Sequence, residues 1–565
     1  MGEPKRITLV ADELLGYVRT GGIGTATTYL AVALGRRGHD VELLYTGDPP
    51  DATMTETWSR LYESSGVAVR QLERTNRQIE PAFFTRMRDV EDALAARPPD
   101  VVIAQDLAAP AYTAMRMRNL GLAFEQTLFV IYCHGGRRWI TDMARKARVL
   151  PGAHAVTVLE QASVEIADAV VSPSTYLLDW MRGEGWRVPV RAWTIPHLTR
   201  AAATGEIVDR AAANGGRVER IVFFGRLEER KGLRPFAAGL NLLSPELLHD
   251  VDLEFLGSAT PAWPRERIEG LLAAETRSSL RAISFHTDLD QPAAFALLSR
   301  PGTLAVMPSL GETFSNAVYE CLERGIPFIA SSAGAPSELV AEEDQARVLF
   351  EATDSGVAAA VRRSLSSSET LRPARAAVDP ATTVERWDEV LQVRPEPPAR
   401  GEPADSTLVH EGDAVLDEDC AETLGRAQAS SGADIVTCGV RLEDGTERLF
   451  LGEPHGSGLL ANHYGTVGLV RSALLDESPM HENPWALYSR LNLKGATIAS
   501  VPRALAAQGN VEHDSATALL VAQQFERHLP AQLRGLARIS AGLASAVAQR
   551  AEARPSLLRR LRPRK

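Results

Sequence analysis

The sequence predicts an α/β chain: two βα domains on parallel sheets, followed by a smaller α+β domain. Three observations predict it. Short β-branched runs alternate with longer helical patterns from Ile7, the series restarts near Val218, and a Pro-rich charged stretch, Val393 to Ser406, separates the remainder. The 565 residues leave room for about three domains of ~150 to 200 residues. Hydrophobic residues at 45% and charged residues at 24% exclude a mainly disordered, collagen-like or disulfide-framework chain.

In chain order, Ile7 to Val10 (ITLV) reads as a strand, Thr25 to Arg37 as a helix closed by Gly38, and VELLY from Val41 as the next strand, one βαβ unit. DVVIAQD (Asp100 to Asp106), TLFVIYCH (Thr127 to His134) and ADAVVSPS (Ala167 to Ser174) continue the pattern, and WTIP (Trp193 to Pro196) ends it. The first domain is set at residues 1–198. A polar, Ala-rich stretch from Thr199 leads to a second series, RIVFFG, DLEFLG, AISFH, LAVMPS and PFIAS, ending in the helical TTVERWDEVL (Thr382 to Leu391). This second domain is set at 199–398, a linker at 399–406 and a third domain at 407–565, with strand-like DIVTCGVRL and ATIASVP and a helix-rich end. No repeat of solenoid period is visible.

A net charge of −11 argues against nucleic acid as a partner, because phosphate-backbone affinity comes from clustered Lys and Arg. The four cysteines, Cys133, Cys321, Cys420 and Cys438, show no C-x-x-C spacing and lie in core-like segments, which fits a reducing cytoplasm. The first apolar run is broken by Asp12 and Glu13, unlike a signal peptide, and Arg6 breaks the myristoylation pattern. No apolar run approaches the ~20 residues of a membrane-spanning helix, so any membrane contact is expected to be peripheral.

Three segments carry candidate chemistry. Arg19-Thr20-Gly21-Gly22-Ile23-Gly24 joins the first strand to the first helix. Its glycines allow close backbone approach, and the helix N-terminus beyond presents N–H groups to a phosphate or sugar hydroxyl; a plain tight turn is the alternative. Gly225-Arg226-Leu227, with Lys231-Gly232 behind it, delivers a guanidinium and an ammonium to one strand end, as a diphosphate requires. Glu228, Glu229 and Arg230 leave open a solvated, ion-paired loop. In PSLGETFSNAVYECLERGIPFIAS, from Pro308, Glu312 falls in a loop, Ser315 or Asn316 can cap the next helix, and Gly325 with Pro327 stops it. Glu312 and Glu320 thus flank a helix N-terminus. A surface pairing of Glu320, Glu323 and Arg324 is the alternative, against the apolar setting of Ala317, Val318, Tyr319 and Cys321.

Taken together, these segments resemble the retaining glycosyltransferases of family 4, which have the GT-B fold of two Rossmann-like domains facing a crevice. The resemblance covers roughly Ile7 to Leu391. It rests on the Gly-Gly-Ile-Gly turn with the LGRRGHDV ending, HGGRRW at His134, ADAVVSPS, GRL…KG, E-x7-E from Glu312 to Glu320, and GIPFIASSAGAPSELV with Glu338, in the family order. The family implies that Arg226 and Lys231 bind the donor diphosphate and Glu320 the ribose. It further implies that Glu312, Thr313 and the amides of Phe314, Ser315 and Asn316 hold the donor sugar. Gly22 and Gly24 would serve the phosphate and acceptor side, and His134 would sit over the sugar. Glu312, His134, Arg226 and Lys231 are the implied catalytic set. The family implies no metal and no cofactor beyond the nucleotide-diphosphate sugar itself, and retention by same-face attack with the departing phosphate taking the acceptor proton. The chain departs from the pattern at Ser315, where glycine is frequent, and at Gly257-Ser258; His286 to Asp288 falls where the family meets the base.

The third domain looks like the second half of a family 2 glycosyltransferase of the GT-A fold, without the preceding nucleotide-binding half. Its D-x-D metal motif would fall on Glu411 and Asp413, and Asn483-Pro484 replaces an acid pair before Trp485. It reads as non-catalytic, with Asp417 and Asp419 expected to cap a helix. The end, Arg554 to Lys565, is basic and carries Leu557, Leu558 and Leu561. Such an end suits either contact with anionic lipid or a solubilising tail. The resulting expectation is a cytoplasmic retaining hexosyltransferase, placed at the inner membrane face if the tail binds lipid. It would act on a glycan, lipid-linked or protein acceptor, in cell-surface polysaccharide or glycoconjugate synthesis. A GT-B nucleotide-sugar epimerase and a silent nucleotide-sugar-binding scaffold are the alternatives.

Overall fold

The computed structural model describes residues 3–18, 21–50, 52–144, 151–206, 217–367, 371–396, 401, 404–453, 458, 462–475 and 483–509. The basic end Arg554–Lys565 and the expected helix-rich end lie outside these residues. The chain groups into two compact units: residues 1–71, 100–108 and 128–394 form the first, and 72–99, 109–127 and 395 onward the second. This departs from the linear division, because residues 72–99 and 109–127 of the expected first domain belong to the second unit.

The first unit holds two parallel sheets. The first runs Val67–Gln71, Asp40–Tyr45, Arg6–Ala11, Val101–Gln105, Leu128–Tyr132, Ala169–Ser172, Ala192–Thr194. Its first strand in sequence, Arg6–Ala11, therefore lies in the middle, between Asp40–Tyr45 and Val101–Gln105. The second runs Ala282–His286, Asp252–Leu256, Arg220–Phe224, Thr303–Met307, Phe328–Ser331, Leu349–Phe350. Its strands alternate between two apolar faces: Ile221, Phe223, Leu253 and Phe255 pack on one side, Val222, Leu256, Ala305 and Met307 on the other. That double burial explains their continuous apolar runs. Both sheets reverse strand order beside the strand that comes first in sequence, Arg6–Ala11 in one and Arg220–Phe224 in the other. At such a switch point the loops leaving two neighbouring strands part, and a crevice opens at the carboxyl ends.

The helix beginning near Thr382 departs from its expected place. Pro380–Leu391 follows the second sheet in sequence, yet Trp387, Val390 and Leu391 lie in the first sheet's core. The indole meets Tyr132 edge-on at 5.2 Å between ring centroids. The helix is amphipathic, and burying that stripe on the first sheet is what removes its large side chains from water. Among the described residues of the first unit, two strands went unread: Val67–Gln71 and Leu349–Phe350. Helix Gly22–Arg36 starts three residues before expectation, so Gly22 and Gly24 sit in its first turn.

In the second unit, Ile435–Arg441 pairs antiparallel with Val467–Arg471 and parallel with Ile498–Ala507. Ile79–Glu80 adds to the same sheet beside Glu447–Arg448. Met117 and Leu120 join Cys420, Leu424, Val436 and Val501 in its core, and Arg503 pairs with the buried Glu91. These apolar and ionic partners are what draw the two early segments into this unit.

Candidate active site

In the first unit, a cleft of about 320 Å³ lies at the two switch points. From the second sheet come Arg226, after Arg220–Phe224, and Glu312, Thr313, Phe314, Ser315 and Asn316, after Thr303–Met307. The first sheet contributes Glu13 and Gly22, Leu107 after Val101–Gln105, His134 and Gly135 after Leu128–Tyr132, and His197 after Ala192–Thr194. The structure thus gathers Gly22, His134, Arg226, Lys231 and the Glu312 segment in one place. Gly24 is buried in its helix, and Glu320 opens on a separate cavity of about 20 Å³ with Tyr29, Gln291 and Arg324; Asn316 lines both.

The two halves of this unit approach closely where glycine leaves room. A Cβ at Gly21 would lie 2.5 Å from Arg226 Nη2, and one at Gly22 would lie 3.0 Å from Asn316 Nδ2. Any larger residue at Gly21 would displace the Arg226 guanidinium, which gives the glycine pair a steric reason. Lys231 Nζ donates to Glu312 Oε1 at 2.5 Å, Ser309 Oγ donates to the same oxygen at 2.6 Å, and Arg230 Nη1 lies 3.3 Å from Oε2. Burial alone would raise the Glu312 pKa. The Lys231 and Arg230 charges and these hydrogen bonds outweigh it and hold the carboxyl at about 2. Burial also pushes the Lys231 ammonium down, with Glu312 opposing.

Helix Asn316–Arg324 points its N-terminus at the cleft, and Ser315 caps it, its Oγ accepting from Val318 N. The cap therefore falls to Ser315. Asn316 instead donates from Nδ2 to Gly22 O at 3.4 Å and presents Oδ1 to His197 Nδ1 at 3.1 Å. Ser315 adopts φ +79°, a left-handed conformation that explains why glycine suits this position. Burial raises the Glu320 carboxyl to about 7, against a hydrogen bond from Gln291 at 3.0 Å.

His134 is held by its backbone. Asp106, fully buried, accepts from His134 N at 2.8 Å and Gly135 N at 3.0 Å. Glu160, also fully buried, accepts from Ala108 N at 2.8 Å and Arg137 N at 2.7 Å. Burial pushes Asp106 up to about 6 and Glu160 to about 8. Thr313 Oγ1 donates to His134 O at 2.9 Å, and Ser174 Oγ to Thr313 O at 2.6 Å, tying the loop to the Glu312 segment. Neither ring nitrogen of His134 has a hydrogen-bond partner among the described residues. Glu338 accepts from Thr175 N and Tyr176 N, both at 2.8 Å, so a second-sheet carboxylate covers the N-terminus of helix Thr175–Gly183.

Sequence reading missed Asp106, Glu160, Arg230 and His197. Asp106 and His197 follow strand ends, the position from which α/β sheets present ligand-facing groups. Arg230 lies 5.5 Å from the Trp139 ring centroid.

In the second unit, Glu411 accepts from Asn483 at 3.2 Å and from Gln508, and burial raises its pKa. Amide donors on both oxygens suit a hydrogen-bonded carboxyl better than a cation ligand. Among the described residues no three His, Cys, Asp or Glu are grouped to hold a metal ion. Asp417 pairs with Arg441 and Asp419 makes no side-chain cap, so neither carboxylate caps the helix as expected: the Arg441 charge claims the first.

Two doubly wound sheets that offer their carboxyl-end loops to one cleft define the GT-B class. A family model described as "Glycosyl transferase 4-like domain" matches residues 21–197, and one described as "Glycosyl transferases group 1" matches 218–367. Together they take in more than half of the chain, which belongs to the GT-B glycosyltransferases. No curated protein matches it. Among solved structures it is similar to sucrose-phosphate synthase from Thermosynechococcus elongatus (17% identity, TM-score 0.49, 68% of this chain and 96% of that one). It is also similar to the catalytic domain of starch synthase IV from Arabidopsis thaliana bound to ADP and acarbose (13%, 0.48, 69% and 99%). A third is Anabaena HepE in complex with UDP and glucose (14%, 0.44, 68% and 99%).

Proposed function

We propose that the chain transfers a hexosyl group, with retention, from a nucleotide-diphosphate sugar to a glycan, lipid-linked or protein acceptor in cell-surface polysaccharide or glycoconjugate synthesis. One observation carries the reading: Arg226, Lys231 and the N-terminus of helix Asn316–Arg324 converge on the cleft that also holds Glu312. These positive groups suit a diphosphate whose negative charge grows as the glycosidic bond breaks. Glu312 is a carboxylate throughout the neutral range, able to accept hydrogen bonds from sugar hydroxyls. The departing phosphate takes the acceptor proton. Residues 407–565 act as a non-catalytic GT-A-like module, and the basic end Arg554–Lys565 as a contact for anionic lipid at the cytoplasmic face.

Thermal stability against a panel of nucleotide sugars tests this. A ligand at about a hundred times its Kd adds about 2.7 kcal/mol, so the cognate donor should raise Tm by several degrees, and Glu320→Ala should lose most of that shift. No shift with any donor would overturn the reading; an undiminished shift in the variant would remove Glu320 from the site.

A further inference from the structure

Two imidazoles stand side by side in the cleft wall. His134 and His197 have ring centroids 5.1 Å apart, and both line the cleft. They are 8% and 5% exposed. Three of their four ring nitrogens, both of His134 and Nε2 of His197, lack a hydrogen-bond partner among the described residues. An unmade hydrogen bond on a buried polar atom costs about 1 to 3 kcal/mol, so three together in a ligand cleft call for an external partner.

The tautomer of His197 follows from its neighbours. Asn316 donates Nδ2 to the Gly22 carbonyl, which can only accept, and this turns Oδ1 toward His197. An oxygen acceptor at 3.1 Å from Nδ1 requires the proton on Nδ1. Nε2 is left with its lone pair. The ring is fixed between Phe314, at 4.5 Å, and Tyr132, at 5.4 Å. Burial keeps His197 down at about 4, with the Asn316 hydrogen bond opposing, so the ring is neutral at working pH.

We infer that His197 is a sugar-binding residue whose Nε2 accepts a hydrogen bond from a hydroxyl of the donor sugar, oriented by the Asn316–Gly22 bridge. The inference rests on the nucleotide-sugar reading above and adds to it the group that distinguishes the sugar from the nucleotide.

Calorimetry tests it with UDP-glucose, ADP-glucose and GDP-mannose, each beside its parent diphosphate, UDP, ADP or GDP. Wild type should bind one nucleotide sugar more tightly than its parent. His197→Phe keeps the ring volume and removes the acceptor; it should weaken that nucleotide sugar about tenfold and leave the diphosphate unchanged. His197→Gln restores an acceptor and should recover much of the loss. Wild type that binds none of the six ligands overturns the nucleotide-sugar reading, and the inference with it. Binding by wild type with no preference for the sugar form, equal affinity in His197→Phe, or an equal loss for sugar and diphosphate forms, overturns the role of His197 while the nucleotide-binding reading stands.

Discussion

Glu160 sits fully buried behind the His134 loop, accepting from the amides of Ala108 and Arg137 and sharing its surroundings with Asp106. Burial lifts its pKa from 4.5 to about 8. A carboxyl that holds its proton more tightly when folded favours the folded state fully below about 4.5, and that preference is lost as pH rises toward about 8. Glu160→Gln removes this titration. The stability of wild type relative to the variant should therefore fall between pH 5 and pH 8, by something on the order of 3 kcal/mol at about 1.4 kcal/mol per pKa unit. Paired melts at the two pH values measure it, and a difference that does not change with pH would rule it out. Such residues escaped sequence reading for a physical reason: Asp106 and Glu160 serve backbone amides, which leave no trace in residue identity. His197 likewise owes its orientation to Asn316, 119 positions away. The charged groups of GRL…KG and E-x7-E were legible because their spacing is local.

Helix Pro380–Leu391 shows the limit of reading elements one at a time. Its periodicity is plain in the sequence, but the sheet that receives it is not, since either βα domain offers an apolar face. Trp387 is fully buried against Tyr132 in the first core. Trp387→Ala should cost about 3 to 5 kcal/mol and lower the Tm of the first unit; a loss below about 1 kcal/mol would show that the helix is not integral to that core. Edge strands were the other gap. Val67–Gln71 lies at the end of its sheet with Arg70 and Gln71 only partly buried, so it lacks the continuous apolar run that marked Arg6–Ala11 and Val101–Gln105.

At the scale of the molecule, the linear sequence does not divide where the cores divide. A fragment of residues 1–198 lacks Trp387, Val390 and Leu391, which complete the first core. It should show no cooperative melt and should bind an apolar dye, whereas the same core completed by these residues in the full chain should give a sharp transition. A sharp melt of the fragment alone would refute this. The two parallel sheets were legible in outline, because buried parallel strands read as unbroken apolar runs, but the order of their strands was not.

The chain leaves the first core after Ala203 and enters the second at Val218, then quits the second after Val378 and rejoins the first at Val384. The two halves of the first unit are therefore tethered by two covalent strands. Two tethers limit any relative movement of the halves to a swing about the line joining them, and the bonds from Thr313 to His134, from Asn316 to Gly22 and from Thr175 and Tyr176 to Glu338 fix the register in which they meet.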